Sequence, residues 1–262
     1  MAALSRGGRR RTLRVLLAAP VLVAGAAVST RRVRAAGEGS IRRIDVARFS
    51  ALAPGDTLPA EWKHQRLPSV ERPNVFSLTT DGGATVLRVQ SHRSASTLVV
   101  RSEVDPNVTP LLRWRWWVAN AVAGSDLRRK AGDDYAARLY VLFDLPAERL
   151  SVGDRLRIAA ARLLHGEELP AAALCYVWGT AQAAGESAWN AYTDRVRMIV
   201  VDSGDGHAQQ WRSITRDVTA DFRAAFGAPV PRIFAIALAA DTDNTGERSE
   251  ARFGDVWFES HG

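Results

Sequence analysis

Glycine, proline and Asp/Asn turns cut this chain into short extended runs, and few segments keep a helical period long enough to matter. Residues 75–80, 84–90 and 96–104 are rich in β-formers, and Asp81-Gly82-Gly83 reads as the hairpin turn between the first two. Residues 111–118 and 135–143 alternate apolar with polar. Further runs follow at 173–178, 195–202, 209–214, 233–240 and 251–259. This pattern sets aside a helical bundle and predicts a mostly β chain, a jelly-roll-like β-sandwich in preference to a barrel.

Two segments do carry a helical period. Residues 153–164 place Leu156, Ala159, Ala160, Leu163 and Leu164 on one face, with Ser151 as N-cap, and read as a short helical insertion capping one end of the sandwich. Residues 218–226 place Val218, Phe222 and Phe226 together, with Gly227 as C-cap. No repeat or low-complexity linker interrupts residues 36–262, which are expected to form a single domain.

Alternation also sorts side chains by face. Leu112, Trp114, Trp116 and Val118 belong to a core, while Arg113, Arg115 and Trp117 point the other way. By the same rule Tyr135, Ala137, Leu139, Val141 and Phe143 turn inward, and Arg138 and Tyr140 share the opposite face with Asp134. Arg195 and Arg197 share a face with Ile199. Were these strands neighbours, Arg113, Arg115, Trp117, Arg138, Tyr140, Arg195 and Arg197 would line one groove. Guanidinium forks bind carboxylates and aromatic faces stack on sugars, so such a groove would suit an acidic glycan. The alternative is an ordinary solvated face, with the arginines paired to neighbouring acids.

Asp241-Thr242-Asp243-Asn244-Thr245-Gly246 begins like a calcium loop, but its twelfth position is Arg252 where an EF-hand needs a bidentate glutamate. Asp241, Asp243 and Asp255 are candidate ligands for a structural calcium, with closure by Asp133 and Asp134 as a second option. An Asx-turn loop without metal competes with both. No other cofactor is expected. The five histidines show no zinc spacing, and neither a nucleophile elbow, a P-loop nor a GxGxxG is present. Cys175, the single cysteine, lies in an apolar run and reads as a small buried hydrophobe.

The formal charge of +7 and pI near 10.4 would point to nucleic acid, were the basic residues spread evenly. They are not. Eight arginines and no acids fall within residues 1–35, around the apolar run 15–28, which is the layout of an export signal. Without that segment 27 basic residues face 28 acidic ones, so no nucleic-acid partner is expected. The apolar run is too short to span about 30 Å of hydrocarbon. A cleaved signal is therefore expected, with membrane contact only through an uncleaved one. Arg10-Arg11-Thr12-Leu13 resembles a twin-arginine signature, and a general secretion signal is the competing reading. The expected destination is the periplasm or the outside of a bacterial cell.

The ordered blocks Leu112-Arg113-Trp114-Arg115-Trp116, Gly132-Asp133-Asp134-Tyr135-Ala136-Ala137-Arg138-Leu139-Tyr140, Leu174-Cys175-Tyr176-Val177-Trp178, Arg216-Asp217-Val218 and Asp241 to Gly246 resemble the bacterial domain-of-unknown-function family 3047. The resemblance spans about residues 49–258 and implies an exported, β-rich domain without an assigned activity. Cys175 departs from the family pattern, which favours Asn there. Gly254-Asp255-Val256-Trp257-Phe258 is also similar to the closing strand of jelly-roll carbohydrate-binding modules. These features together favour a binding module for a cell-envelope or acidic polysaccharide. The alternatives are a polysaccharide-processing enzyme such as a lyase, with Tyr140 or Tyr176 exchanging protons, and a structural protein of the envelope.

Overall fold

The structure, a computed structural model, describes residues 40–145, Glu148 and 171–262. Among these, the strands in chain order are β1 (Arg43–Ala47), β2 (Trp62–Arg66), β3 (Val75–Asp81), β4 (Ala84–His92), β5 (Ala95–Val104), β6 (Leu111–Val118), β7 (Arg138–Phe143), β8 (Ala172–Gly179), β9 (Ser187–Asn190), β10 (Thr193–Ser203), β11 (Arg212–Asp217), β12 (Ile233–Asp241) and β13 (Arg248–Glu259). One helix, α1 (Val218–Phe226), interrupts them. They belong to one compact unit, Gly39–Gly262. None of the described helices is long and apolar enough to cross a membrane.

Two sheets stack into a β-sandwich. The first runs β11-β6-β13-β4-β3 with β1 also paired to β13; the second runs β2-β5-β12-β7-β8-β10-β9. Every pairing is antiparallel except β8 with β10. The expected jelly-roll-like, mostly β architecture is what the chain adopts. At the first hairpin, Gly82 and Gly83 take φ of 57° and 82°, the left-handed pair that a two-residue turn needs to match strand twist.

Alternation in the sequence becomes the core. Leu112, Trp114, Trp116 and Val118 of β6 are buried against Leu139, Val141 and Phe143 of β7, Leu174, Tyr176 and Trp178 of β8, and Ile236 and Leu238 of β12. Trp114 lies 5.3 Å from the Tyr176 ring, and Trp116 lies 6.0 Å from Trp178 and 6.2 Å from Phe253. β8 is buried along its whole length, so the outer face of the second sheet is covered there too. A second apolar cluster on that side contains Cys175, Val177, Met198 and Val200 with Leu127 and Tyr135. Cys175 is indeed a buried small hydrophobe.

Tyr135 corrects the sequence reading. Regular pairing begins only at Arg138, so the alternation that puts Leu139 in the main core does not extend back, and Tyr135 joins the second cluster instead. β1, β2 and β9 had no sequence signal, because all three are short and none carries an alternating apolar face. α1 matches its expected bounds, with Asp217 accepting from the Thr219 and Ala220 amides as N-cap and Gly227 following at φ 77°. The helix expected at 153–164 lies outside the described residues.

Trp116 is fully buried at the centre of the sandwich, so Trp116→Ala should cost about 3–5 kcal/mol, while Trp257→Ala on the outer face of the first sheet should cost about 1 or less. Chemical denaturation of the two variants, with equal m-values, checks the contrast.

Candidate functional site

The seven residues assigned to one groove separate in space. Arg113, Arg115 and Trp117 sit on β6 in the first sheet, whereas β7 and β10 lie in the second. The two groups cannot share a face, because β6 hydrogen-bonds only to β11 and β13. On the outer face of the first sheet Arg113 donates to Glu259 at 2.6 Å and to Thr215 at 3.1 Å. The Arg252 guanidinium covers the Trp117 ring at 4.2 Å, and Arg115 covers Trp211 at 4.6 Å. Arg252 is also paired with Asp81 and Glu250, and Glu250 in turn with Arg88. The indole faces that would stack on a sugar are thus occupied by the protein's own arginines. This is the solvated, ion-paired face of the alternative reading.

Arg195 and Arg197 face the side of β10 that carries Ile199. Arg195 donates to the Ala171 carbonyl, and Arg197 donates to Ser187 Oγ while its guanidinium lies 5.2 Å from the Trp189 ring. They do not meet Arg138 and Tyr140, which project from the opposite face of the same sheet.

Arg138 and Tyr140 do converge with other polar groups. Arg138 is 1% exposed, and its guanidinium binds from several sides at once. Nε donates to Asp241 Oδ1 at 2.7 Å, and Nη2 reaches Asp241 Oδ2 at 2.6 Å. Nη2 also donates to the Asp133 carbonyl and to Asp133 Oδ1, and Nη1 donates to the Tyr140 hydroxyl at 3.2 Å. The register explains the meeting: Arg138 opens β7 opposite Ala239, so the guanidinium extends along the sheet to the last residue of β12. Around it opens a cavity of about 330 Å³, walled by Tyr140 and Val196 from the sheet, Leu67 and Ser69 from the loop after β2, Asn190 and Tyr192 from the β9–β10 turn, and Asp243 and Asn244 after β12. Asn190 donates to Asp133 Oδ2 at 2.8 Å, and the Tyr192 hydroxyl donates to Asn244 Oδ1 at 3.0 Å.

The loop after β12 is organised by Asp134. This fully buried carboxylate accepts from the amide and side chain of Asn244 and from the amide and hydroxyl of Thr245. Asp134, Asp241 and Asp243 each offer a carboxylate oxygen, all within 4.8 Å of one another. Asp255 is not part of the group. From β13 of the first sheet it accepts from the amide and hydroxyl of Ser50 in the turn after β1, and this corrects its place among the candidate calcium ligands. The oxygens of Asp134 and Asp241 already accept from protein donors more than 100 residues away in sequence, so these contacts tie two distant segments together.

Burial pushes the Asp241 carboxyl up to about 8; the Arg138 fork opposes the rise, and Asp133 and Asp134 add to it. Asp243 is raised as well, by burial and by the charge of Asp134. Burial raises the Tyr140 phenol well above its usual range and the Cys175 thiol to about 12. Tyr176 is not near this cavity. It lies in the core, donates to Asp221 Oδ2 at 2.8 Å, and its phenol is also raised by burial.

A family model described as a protein of unknown function, DUF3047, matches residues 60–257. The chain belongs to this family. No curated protein matches its sequence. Several solved structures are similar in fold at very low identity. The family 30 carbohydrate-binding module of a Clostridium thermocellum cellulosomal cellulase shows 8% identity and a TM-score of 0.39, covering 84% of this chain and 98% of its own. A family 12 xyloglucanase from Bacillus licheniformis shows 6% identity and a TM-score of 0.41, covering 84% and 99%. A family 29 carbohydrate-binding module shows 10% identity and a TM-score of 0.33, covering 84% and 85%. In the family 3047 chain, Arg138, Tyr140, Asp241 and Asp243 come from the sequence blocks singled out beforehand. Asn190 and Tyr192 had no signal, since they sit in a four-residue edge strand and its turn.

An unfolded aspartate releases its proton near 3.8, but folded Asp241 holds one up to about 8. The folded state therefore binds more protons across that window, and this group withdraws stability as pH rises through it. Thermal melts between about pH 5 and pH 8 should show a shallower fall in Tm for Asp241→Asn than for the parent protein.

Proposed function

We propose that this chain is an exported polysaccharide-binding protein whose ligand enters the cavity beside Arg138. The observation that carries the reading is the cavity itself. At about 330 Å³ it falls in the lower part of the range of small-molecule sites, roughly 300–1,000 Å³. Its walls pair two tyrosines, Tyr140 and Tyr192, with amide and carboxylate groups of Asn190, Asn244 and Asp243. A sugar ring presents an apolar face with hydroxyls around it, and this wall composition answers both. Tyr192 is 56% exposed, with Lys130 Nζ over its ring at 5.1 Å, so a ligand can still reach the side chain from solvent.

Binding is favoured over lyase chemistry by the state of the tyrosines. A tyrosine that removes a proton near neutral pH needs a lowered pKa, and burial moves Tyr140 the other way. Tyr176 is bonded to Asp221 inside the core. Export rests on the eight arginines and missing acids of residues 1–35.

Calorimetric titration with a panel of neutral, amino-sugar and acidic oligosaccharides tests the site. At least one member should bind, and Tyr192→Ala, which keeps the Arg138 network, should weaken it roughly tenfold, about 1.4 kcal/mol. Absence of binding across the panel, or unchanged affinity in the variant, would refute the reading. Export is checked separately by cell fractionation. The protein should appear in the periplasm or medium and stay in the cytoplasm once residues 1–35 are deleted.

A further inference from the structure

The charge inside the cavity narrows the ligand class. Arg138 is the only cationic side chain among the cavity walls described here, and it is spent on its own neighbours. Nε and Nη2 serve Asp241 and Asp133, and Nη1 serves Tyr140. It is 1% exposed, so an incoming carboxylate or sulfate would have to break this network to reach it. The walls hold three carboxylates, Asp133, Asp241 and Asp243, against that single guanidinium.

The three carboxylates differ in what they still need. Asp241 accepts from Arg138 and from the Tyr135 amide, and Asp133 accepts from Arg138 and Asn190. Asp243 is half-buried in the wall, and among the described residues it is bonded only to its own backbone amide. An acceptor in that position is left for a donor from outside. The ring of Tyr192 beside it has Lys130 Nζ over it, 5.1 Å from its centre, so the discrimination lies with the carboxylates. An acidic wall suits a protonated amine and repels an anion.

We infer that the cavity selects a glycan bearing free amino groups, such as a de-N-acetylated amino-sugar polymer, with Asp243 receiving the ammonium and Tyr192 contacting the ring that carries it. This inference rests on the cavity being the glycan site, and it replaces the acidic polysaccharide of the sequence reading with a cationic one. The excess of carboxylates is a property of tertiary contacts, since Asp133 precedes β7 while Asp241 ends β12 and Asp243 follows it, more than 100 residues away.

The deciding experiment is calorimetry of the purified protein with three probes of equal length: a glucosamine oligosaccharide, its fully N-acetylated form and an oligogalacturonate. It is run at mildly acidic pH, where the amines are protonated, and repeated with Asp243→Asn. Because Asp243 holds no other residue, this variant should melt no lower than the parent. The glucosamine oligomer is expected to bind at least tenfold tighter than the acetylated one, the galacturonate not at all, and the preference is expected to vanish in Asp243→Asn. Equal or tighter binding of the acetylated or acidic probe overturns the amine selectivity while leaving a glycan site in place. A preference for amine that survives in Asp243→Asn overturns the assignment to this cavity. If none of the probes binds but calcium does, and Asp243→Asn abolishes it, the carboxylates serve a cation and the inference fails. Silence from every glycan of the wider panel removes the binding reading and this inference together.

Discussion

A single buried guanidinium holds the functional end of this sandwich together. Arg138 begins β7, and its fork ties the loop before that strand, through Asp133, to the end of β12, through Asp241. A charge so deep in a protein is tolerated only when paired and hydrogen-bonded, and removing one partner of such a group typically costs about 3–5 kcal/mol. The neighbouring carboxylate, Asp134, does the same work one layer further in, gathering the amides of Asn244 and Thr245. Together they fix two loops that have no regular structure of their own. The cavity walls are placed by these polar contacts more than by the apolar core beneath them.

The outer face of the first sheet shows the opposite use of the same residue types. There, arginines and tryptophans alternate across strands, but each indole has a guanidinium over it and the carboxylates of Asp81, Glu250 and Glu259 complete the pairing. Gly254 at the β13 bulge belongs to this arrangement, because a Cβ there would fall 2.5 Å from the Arg115 side chain. Half-exposed pairs of this kind add little individually, yet they keep a broad sheet face polar. Composition alone does not separate an aromatic-basic ligand groove from an aromatic-basic surface lattice. What separates them is whether the rings are free.

Much of the architecture was legible because it depends on period. The Leu112 to Val118 alternation, the Gly82-Gly83 turn and the helix from Val218 with Asp217 before it all follow from local rules, and all are present. Period fails where the chain leaves regular pairing. Tyr135 was placed by extrapolating an alternation that begins three residues later, and β9 carried too few residues to show one. The candidate site was half legible for the same reason. Arg138 and Tyr140 on β7, Asp241 at the end of β12 and Asp243 just after it stand where sequence blocks mark them, whereas Asn190 and Tyr192 reach the cavity only because β9 folds back beside β10.

The sequence by itself determined the mostly β class, the faces of individual strands, the near-neutral charge of everything beyond residue 35 and the membership of side chains in the core. These are properties of a few neighbouring residues, and the hydrophobic effect acts on them whatever the strand order. Which arginines meet is a property of strand order, and only the tertiary structure decided it. By placing β6 in one sheet and β7 in the other, it divided a single imagined basic groove into an ion-paired surface and an acidic cavity braced by one buried arginine.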